Sequence, residues 1–106
     1  MTPEAPNRRA CERRPVALDL WTWSLAHATK RLAGSTVDLS EEGALLRVPG
    51  LSEAAVRLEI WLALPDGLLE MKASVIHQHG PDLVGVKFDG LCSSERARLV
   101  EFLTRI

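Results

Sequence analysis

The sequence predicts a mainly β domain: a small antiparallel six-stranded β-barrel with one C-terminal α-helix. Three observations predict it. Apolar and polar residues alternate at period two in several short runs, Gly, Pro and Asp turn signals separate those runs, and the last stretch repeats its apolar residues at helical spacing. A chain of 106 residues with 46% hydrophobic content can bury one modest core and has no room for a separate catalytic domain.

Residues 1–14 are rich in Pro, Arg and Glu, lack apolar periodicity, and read as a flexible arginine-rich leader that folds only against something else. Residues 15–106 read as the barrel and its helix. From Pro15 to about Leu25, Val16, Leu18 and Leu20 alternate with Ala17, Asp19 and Trp21, the pattern of a half-buried strand. Ala26 to Ala33 suits either a hairpin end, which is favoured, or a short helical turn, with Gly34-Ser35 able to punctuate either, and Thr36 to Leu39 reads as a short strand running into a Ser40–Gly43 turn. Ala44 to Val48 follows as a strand stopped by Pro49-Gly50.

The cleanest alternation sets Val56, Leu58, Ile60, Leu62 and Leu64 on one face, with Arg57, Glu59, Trp61 and Ala63 on the other. Pro65-Asp66-Gly67 is a turn signal, after which Leu69 to His79 and Leu83 to Phe88 read as two strands around Gly80-Pro81-Asp82. Ser93 or Ser94 can cap a helix, Glu95 suits its first turn, and Leu99, Phe102, Leu103 and Ile106 form its apolar stripe, placed to cover an open end or edge of the barrel.

Several function classes are disfavoured. A formal net charge of −1 offers no global field for duplex DNA. Cys11 and Cys92 are isolated and His27, His77 and His79 form no metal triad, so neither a zinc site nor a disulfide framework is indicated. No nucleophile elbow or oxyanion-hole motif accompanies Asp38, Ser40 and the histidines, so an enzyme is not expected, nor a catalytic cofactor. The absence of a bilayer-length apolar run or a secretion signal leads to the expectation of a cytoplasmic protein that does not insert into a membrane. At least one of Trp21 and Trp23, which share a strand face, is expected to pack, and Trp61, opposite the Leu-rich face, is the best candidate for a partner contact.

Charge is polarised toward the leader. Its four arginines face only two glutamates, and Arg9 and Arg13 stand four residues apart with Arg8 and Arg14 beside them. Planar guanidinium forks suit phosphate oxygens and guanine edges. Twenty-five positions after Arg13 comes Asp38-Leu39-Ser40-Glu41-Glu42-Gly43. Its carboxylate and hydroxyl lie two residues apart and face one way if the segment is extended. Gly43 permits a positive φ or a close approach to a ligand. An aspartate can accept from the N1–H and amine of guanine, and a serine can serve base or phosphate.

These two elements, in this order on either side of a first hairpin, resemble the signature motifs RxxxR and (D/N)xSxxG of the PilZ family. The Leu-Ser-Glu-Glu-Gly-Ala-Leu-Leu run, the Leu-Pro-Asp-Gly hairpin, the Val84-Gly85-Val86-Lys87-Phe88 strand and the final helix extend the resemblance over all but residues 1–7. It implies a receptor for cyclic di-GMP, with Arg9 and Arg13 on the phosphates and a guanine edge, Arg8 as an additional arginine, and Asp38, Ser40 and Gly43 as barrel-side contacts. Where some members place an aromatic to stack on guanine, this chain offers His77 or Gln78. The implied mechanism is ordering of the leader by ligand and relay to a protein partner in motility, exopolysaccharide secretion or development, by a monomer or a homodimer. The alternative is a ligand-independent PilZ-like interaction protein of a motility or type IV pilus system; a third possibility, a single-stranded nucleic-acid binder, would need a basic groove with aligned aromatics.

Overall fold

The computed structural model describes residues 12–26 and 30–106. The expectations placed on Arg8, Arg9, Cys11 and His27 therefore lie outside the described residues. The elements are β1 (Arg14–Pro15), β2 (Asp19–Ser24), β3 (Leu32–Leu39), β4 (Gly43–Arg47), β5 (Arg57–Leu64), β6 (Gly67–Gln78), β7 (Leu83–Asp89) and α1 (Ser93–Arg105). Every strand pairing is antiparallel, and the order β1-β3-β2-β5-β6-β7-β4 closes on itself through β3 and β4. The result is the expected six-stranded barrel, β2 to β7, with β1 as a two-residue extension beside β3. Closure removes the free edges that an open sheet of this size would expose.

The expected alternation produces the core. Leu58, Ile60 and Leu62 on β5 are almost wholly buried, as are Leu20, Leu46, Leu69 and Val86 on the neighbouring strands. Each such side chain contributes about 1.5–3 kcal/mol relative to exposure. From α1, Leu99 and Leu103 join the same cluster, so the helix packs its apolar stripe onto the barrel core. Arg98 pins it there: its guanidinium donates to both Asp66 carboxylate oxygens and to the Gly67 and Leu68 carbonyls at 2.9–3.3 Å.

Several sequence expectations need correction. The strand expected from Pro15 to Leu25 is interrupted at Val16–Leu18, separating β1 from β2. The buried Thr36 hydroxyl fills the break by accepting from Leu18 N–H at 2.8 Å and donating to the Val16 carbonyl. Gly34-Ser35 does not punctuate a turn but lies inside β3, which runs eight residues. A Cβ at Gly34 would stand 2.6 Å from the Arg47 carbonyl oxygen, so glycine there serves close packing of β3 on β4. Val56 is not on the core face: β5 starts one residue later, Val56 is 68% exposed, and Ala55 is buried in its stead. The helix cap is Cys92, not a serine, because Glu95 at the third helical position accepts from Cys92 N–H at 2.9 Å.

Two predictions follow from these contacts. Thr36→Val strands a main-chain donor and acceptor and should cost about 1–3 kcal/mol in denaturant unfolding, whereas Thr36→Ser should recover most of it. The second concerns acid. The hydrogen bond from Arg98 holds the Asp66 carboxyl below its ordinary range, and the bond from Cys92 N–H does the same for Glu95. A carboxyl whose pKa is depressed by folding stabilises the fold above its unfolded pKa, and that contribution fades as pH falls through the lower, folded value. The thermal midpoint should therefore drop on acidification below about pH 4, and Arg98→Ala should show a smaller drop.

Candidate functional site

The site builds outward from β3. Between Thr36 and Asp38 the pairing of β3 with β4 shifts register, so Thr36 and Leu39 both point into the barrel while Asp38 is turned to the outer surface. Asp38 Oδ1 accepts from Arg13 Nη1 at 2.7 Å and from Leu45 N–H at 3.2 Å. The Arg13 side chain is half exposed, so this ion pair is worth little as stability. Its importance is positional: it places a phosphate-competent guanidinium beside the barrel-side carboxylate. Arg14, the next residue, donates to the Ile106 carbonyl at 2.7 Å and ties the same segment to the end of α1.

A second shift, between Val75 and His77 in the β6–β7 pairing, does for His77 what the first does for Asp38. The cross-strand register then aligns Asp38 with Leu45, Leu45 with Gly85, and Gly85 with His77. Facing residues of an antiparallel ladder project on one side. Asp38 and His77 therefore stand on one outer wall, three inter-strand steps or about 14 Å apart along its surface. Gly85 keeps the floor between them low, since a Cβ there would meet His77 Cδ2 at 3.0 Å. His77 also meets His79 edge to face at 4.8 Å between ring centroids.

Ser40 and Gly43 bracket the turn that follows β3. The strand ends at Leu39, so the alternation that would bring Ser40 to the face of Asp38 does not continue. Ser40 is buried, and its hydroxyl accepts from Glu42 N–H and Gly43 N–H, both at 3.2 Å, with the Gly43 carbonyl 3.3 Å away. The hydroxyl is committed to the β3–β4 turn. Gly43 has no positive φ; its close approach is to the next strand, where a Cβ would lie 2.2 Å from the Val86 carbonyl oxygen. Both residues shape the hairpin that holds Asp38.

The row is flanked by two exposed cations that motif reading passed over. Arg47 stands two residues beyond Leu45 on one side and Lys87 two beyond Gly85 on the other. Period-two alternation alone assigns both outward, but only the register shows that they border the Asp38–His77 row. Among the described residues no group of three or more His, Cys, Asp and Glu could hold a metal ion. Among the described residues no helix is long and apolar enough to cross a membrane.

Comparison with solved structures gives the same architecture. The chain is similar to the PilZ domain of CeSA from a cellulose-synthesizing bacterium, with a TM-score of 0.72 and 14% identity over 89% of this chain and 96% of that one. It is also similar to the Bacillus subtilis inhibitor of motility MotI/DgrA, with a TM-score of 0.70 and 16% identity, covering 88% of this chain but only 47% of that protein. The PilZ domain of YcgR from Escherichia coli, solved with c-di-GMP, matches with a TM-score of 0.61 and 16% identity over 83% of this chain and 80% of that one. No curated protein matches in sequence. The family model described as "PilZ domain" matches residues 7–105, so the match takes in both the arginine segment and the Asp38–Gly43 turn. The chain belongs to the PilZ domain family.

Proposed function

We propose that this domain is a cyclic di-GMP receptor that captures the dinucleotide on the Asp38–His77 wall and relays its presence to a protein partner without catalysing a reaction. The observation that carries this reading is the Arg13–Asp38 pair at one end of an outer row that crosses a glycine floor to an imidazole. Its elements suit the ligand's chemistry. Asp38 accepts from a guanine edge, Arg13 turns its fork from Asp38 to a phosphate, and His77 offers a ring against which a base can stack. Arg47 and Lys87 add positive potential on either flank, which favours an anion arriving from solvent. Ser40 and Gly43 act by holding the hairpin in shape. Arg8 and Arg9, carried by the leader, complete the phosphate clamp from the N-terminal side. The likeness to the YcgR domain solved with c-di-GMP supports the choice of ligand.

Relay follows from the same contacts. Ligand drawing Arg13 away from Asp38 moves the segment that Arg14 ties to the end of α1, so one binding event can alter the leader and the helix together. The relay would serve motility, exopolysaccharide secretion or development, in the cytoplasm.

Isothermal titration with cyclic di-GMP should give saturable heat and a stoichiometry. Arg13→Ala and Asp38→Ala should each weaken binding about 10–100-fold, as expected for loss of a charge-assisted hydrogen bond. His77→Ala should cost about 2–10-fold through lost stacking. Lys87→Ala should flatten the salt dependence of the affinity. Absence of heat at both low and moderate salt would defeat the proposal and favour a ligand-independent interaction domain.

A further inference from the structure

A second wall, on β2, β5 and the first half of β6, has a surface of its own. Trp21 lies directly across from Trp61, and Trp61 across from Glu70. Trp21 is 43% and Leu68 47% exposed, and together with Trp23, Trp61 and Arg31 they line a shallow cleft of about 230 Å³. Trp23 is buried although it points away from the core: Trp61 meets it edge to face at 5.3 Å, and the Arg31 guanidinium lies 5.0 Å from its ring and 5.5 Å from that of Trp61. Large apolar side chains kept at a surface, where core packing does not require them, mark a contact site. The Trp61 Nε1–H is buried with no acceptor among the described residues, which leaves its desolvation uncompensated there.

Charge on the page identifies what fits. Beside the aromatic cleft stand Glu59, across from Trp23, and Glu70, across from Trp61. Glu95 lies close enough to Glu59 to repel it, as Glu70 does, and Lys72, directly across from Glu59, opposes both there. The Glu59 carboxyl is accordingly pushed up, first by burial and then, against Lys72, by Glu70 and Glu95. Arg31 already demonstrates that the tryptophan rings accept a guanidinium. An anionic lipid surface is repelled by the same carboxylates.

We propose that this wall is a docking surface for a segment of a protein partner that presents arginine or lysine side chains among apolar ones. The apolar residues cover Trp21 and Leu68, and the cations reach Glu59 and Glu70 or stack on the indoles. This surface stands apart from nucleotide capture, so failure of either reading leaves the other in place.

All three tryptophans of the chain lie in this patch and the chain contains no tyrosine, so indole signals report on this wall alone. The full chain is titrated with two synthetic peptides of equal length, one alternating leucine with arginine and one alternating leucine with glutamate, while the three indole N–H resonances are followed by NMR. The arginine peptide should shift the Trp21 and Trp61 resonances saturably and the glutamate peptide should not. Trp21→Ser and Leu68→Ser, at exposed positions that leave the fold and its thermal midpoint in place, should each weaken binding about tenfold. Glu59→Gln combined with Glu70→Gln should weaken it several-fold. Equal shifts with both peptides, no shift with either, or affinity unchanged in Trp21→Ser would overturn the proposal. A concentration-dependent dimer in sedimentation that Trp21→Ser abolishes would overturn it too, by assigning the wall to a second copy.

Discussion

Everything in this fold hangs on β3 being hydrogen-bonded along both of its edges. One edge takes β2 and then β1, and the other takes β4, so β3 both closes the barrel and receives the N-terminal segment. The weak point is the gap at Val16–Leu18, where the N-terminal chain leaves the ladder and would abandon main-chain polar groups. Thr36 supplies from its side chain the acceptor and donor that the ladder lacks. A buried hydroxyl is tolerated there because both of its partners are main-chain groups with no alternative. Two residues later the register shift turns Asp38 outward. Barrel closure, entry of the leader and placement of the site carboxylate are therefore set within one short stretch of one strand.

The two register shifts give the barrel two chemically distinct walls. Irregular pairing at Asp38 and at His77 places polar side chains on the outside of β3 and β6, with a glycine on the strand between, and yields a low, cation-flanked surface. Further round the barrel, regular pairing of β2 and β5 with the first half of β6 lines up Trp21, Trp61 and Glu70 and yields an aromatic surface bordered by carboxylates. One closed sheet thus carries a face suited to a small anion and another suited to a cationic chain. The rigid core between them, joined by Leu99 and Leu103 of α1, keeps the two at fixed separation.

Much of this was legible in the sequence because period-two alternation and turn residues are local signals. The succession of strands along the chain, the Pro65–Gly67 turn, the β5 core face from Leu58 to Leu64 and the Leu99/Leu103 stripe were all readable from neighbours in the chain. What was not legible depends on pairing between distant residues. The alternation through Val16 and Leu18 looked like unbroken strand because nothing local announces that Thr36 will bridge a gap there. Ser40 looked like a partner of Asp38 because spacing places both on one face, yet the strand ends at Leu39 and the hydroxyl closes the turn. Gly43 was read as a place for a positive φ or a close approach; it has no positive φ, and it packs closely on Val86 of the next strand. Arg47, Lys87 and Gly85 carry no motif at all; only the register brings them to the row of Asp38 and His77.

The central claim is that cyclic di-GMP is held on that row, and the most direct measurement is a map of main-chain amide shifts as the ligand is added to the full chain. The account predicts the largest changes at Arg13, Asp38, Leu45, Gly85 and His77, with smaller ones at Arg47 and Lys87 and in α1 near Ile106. Saturable binding whose shifts centre instead on Trp21 and Trp61, or that leaves Asp38, Gly85 and His77 unmoved, would contradict it.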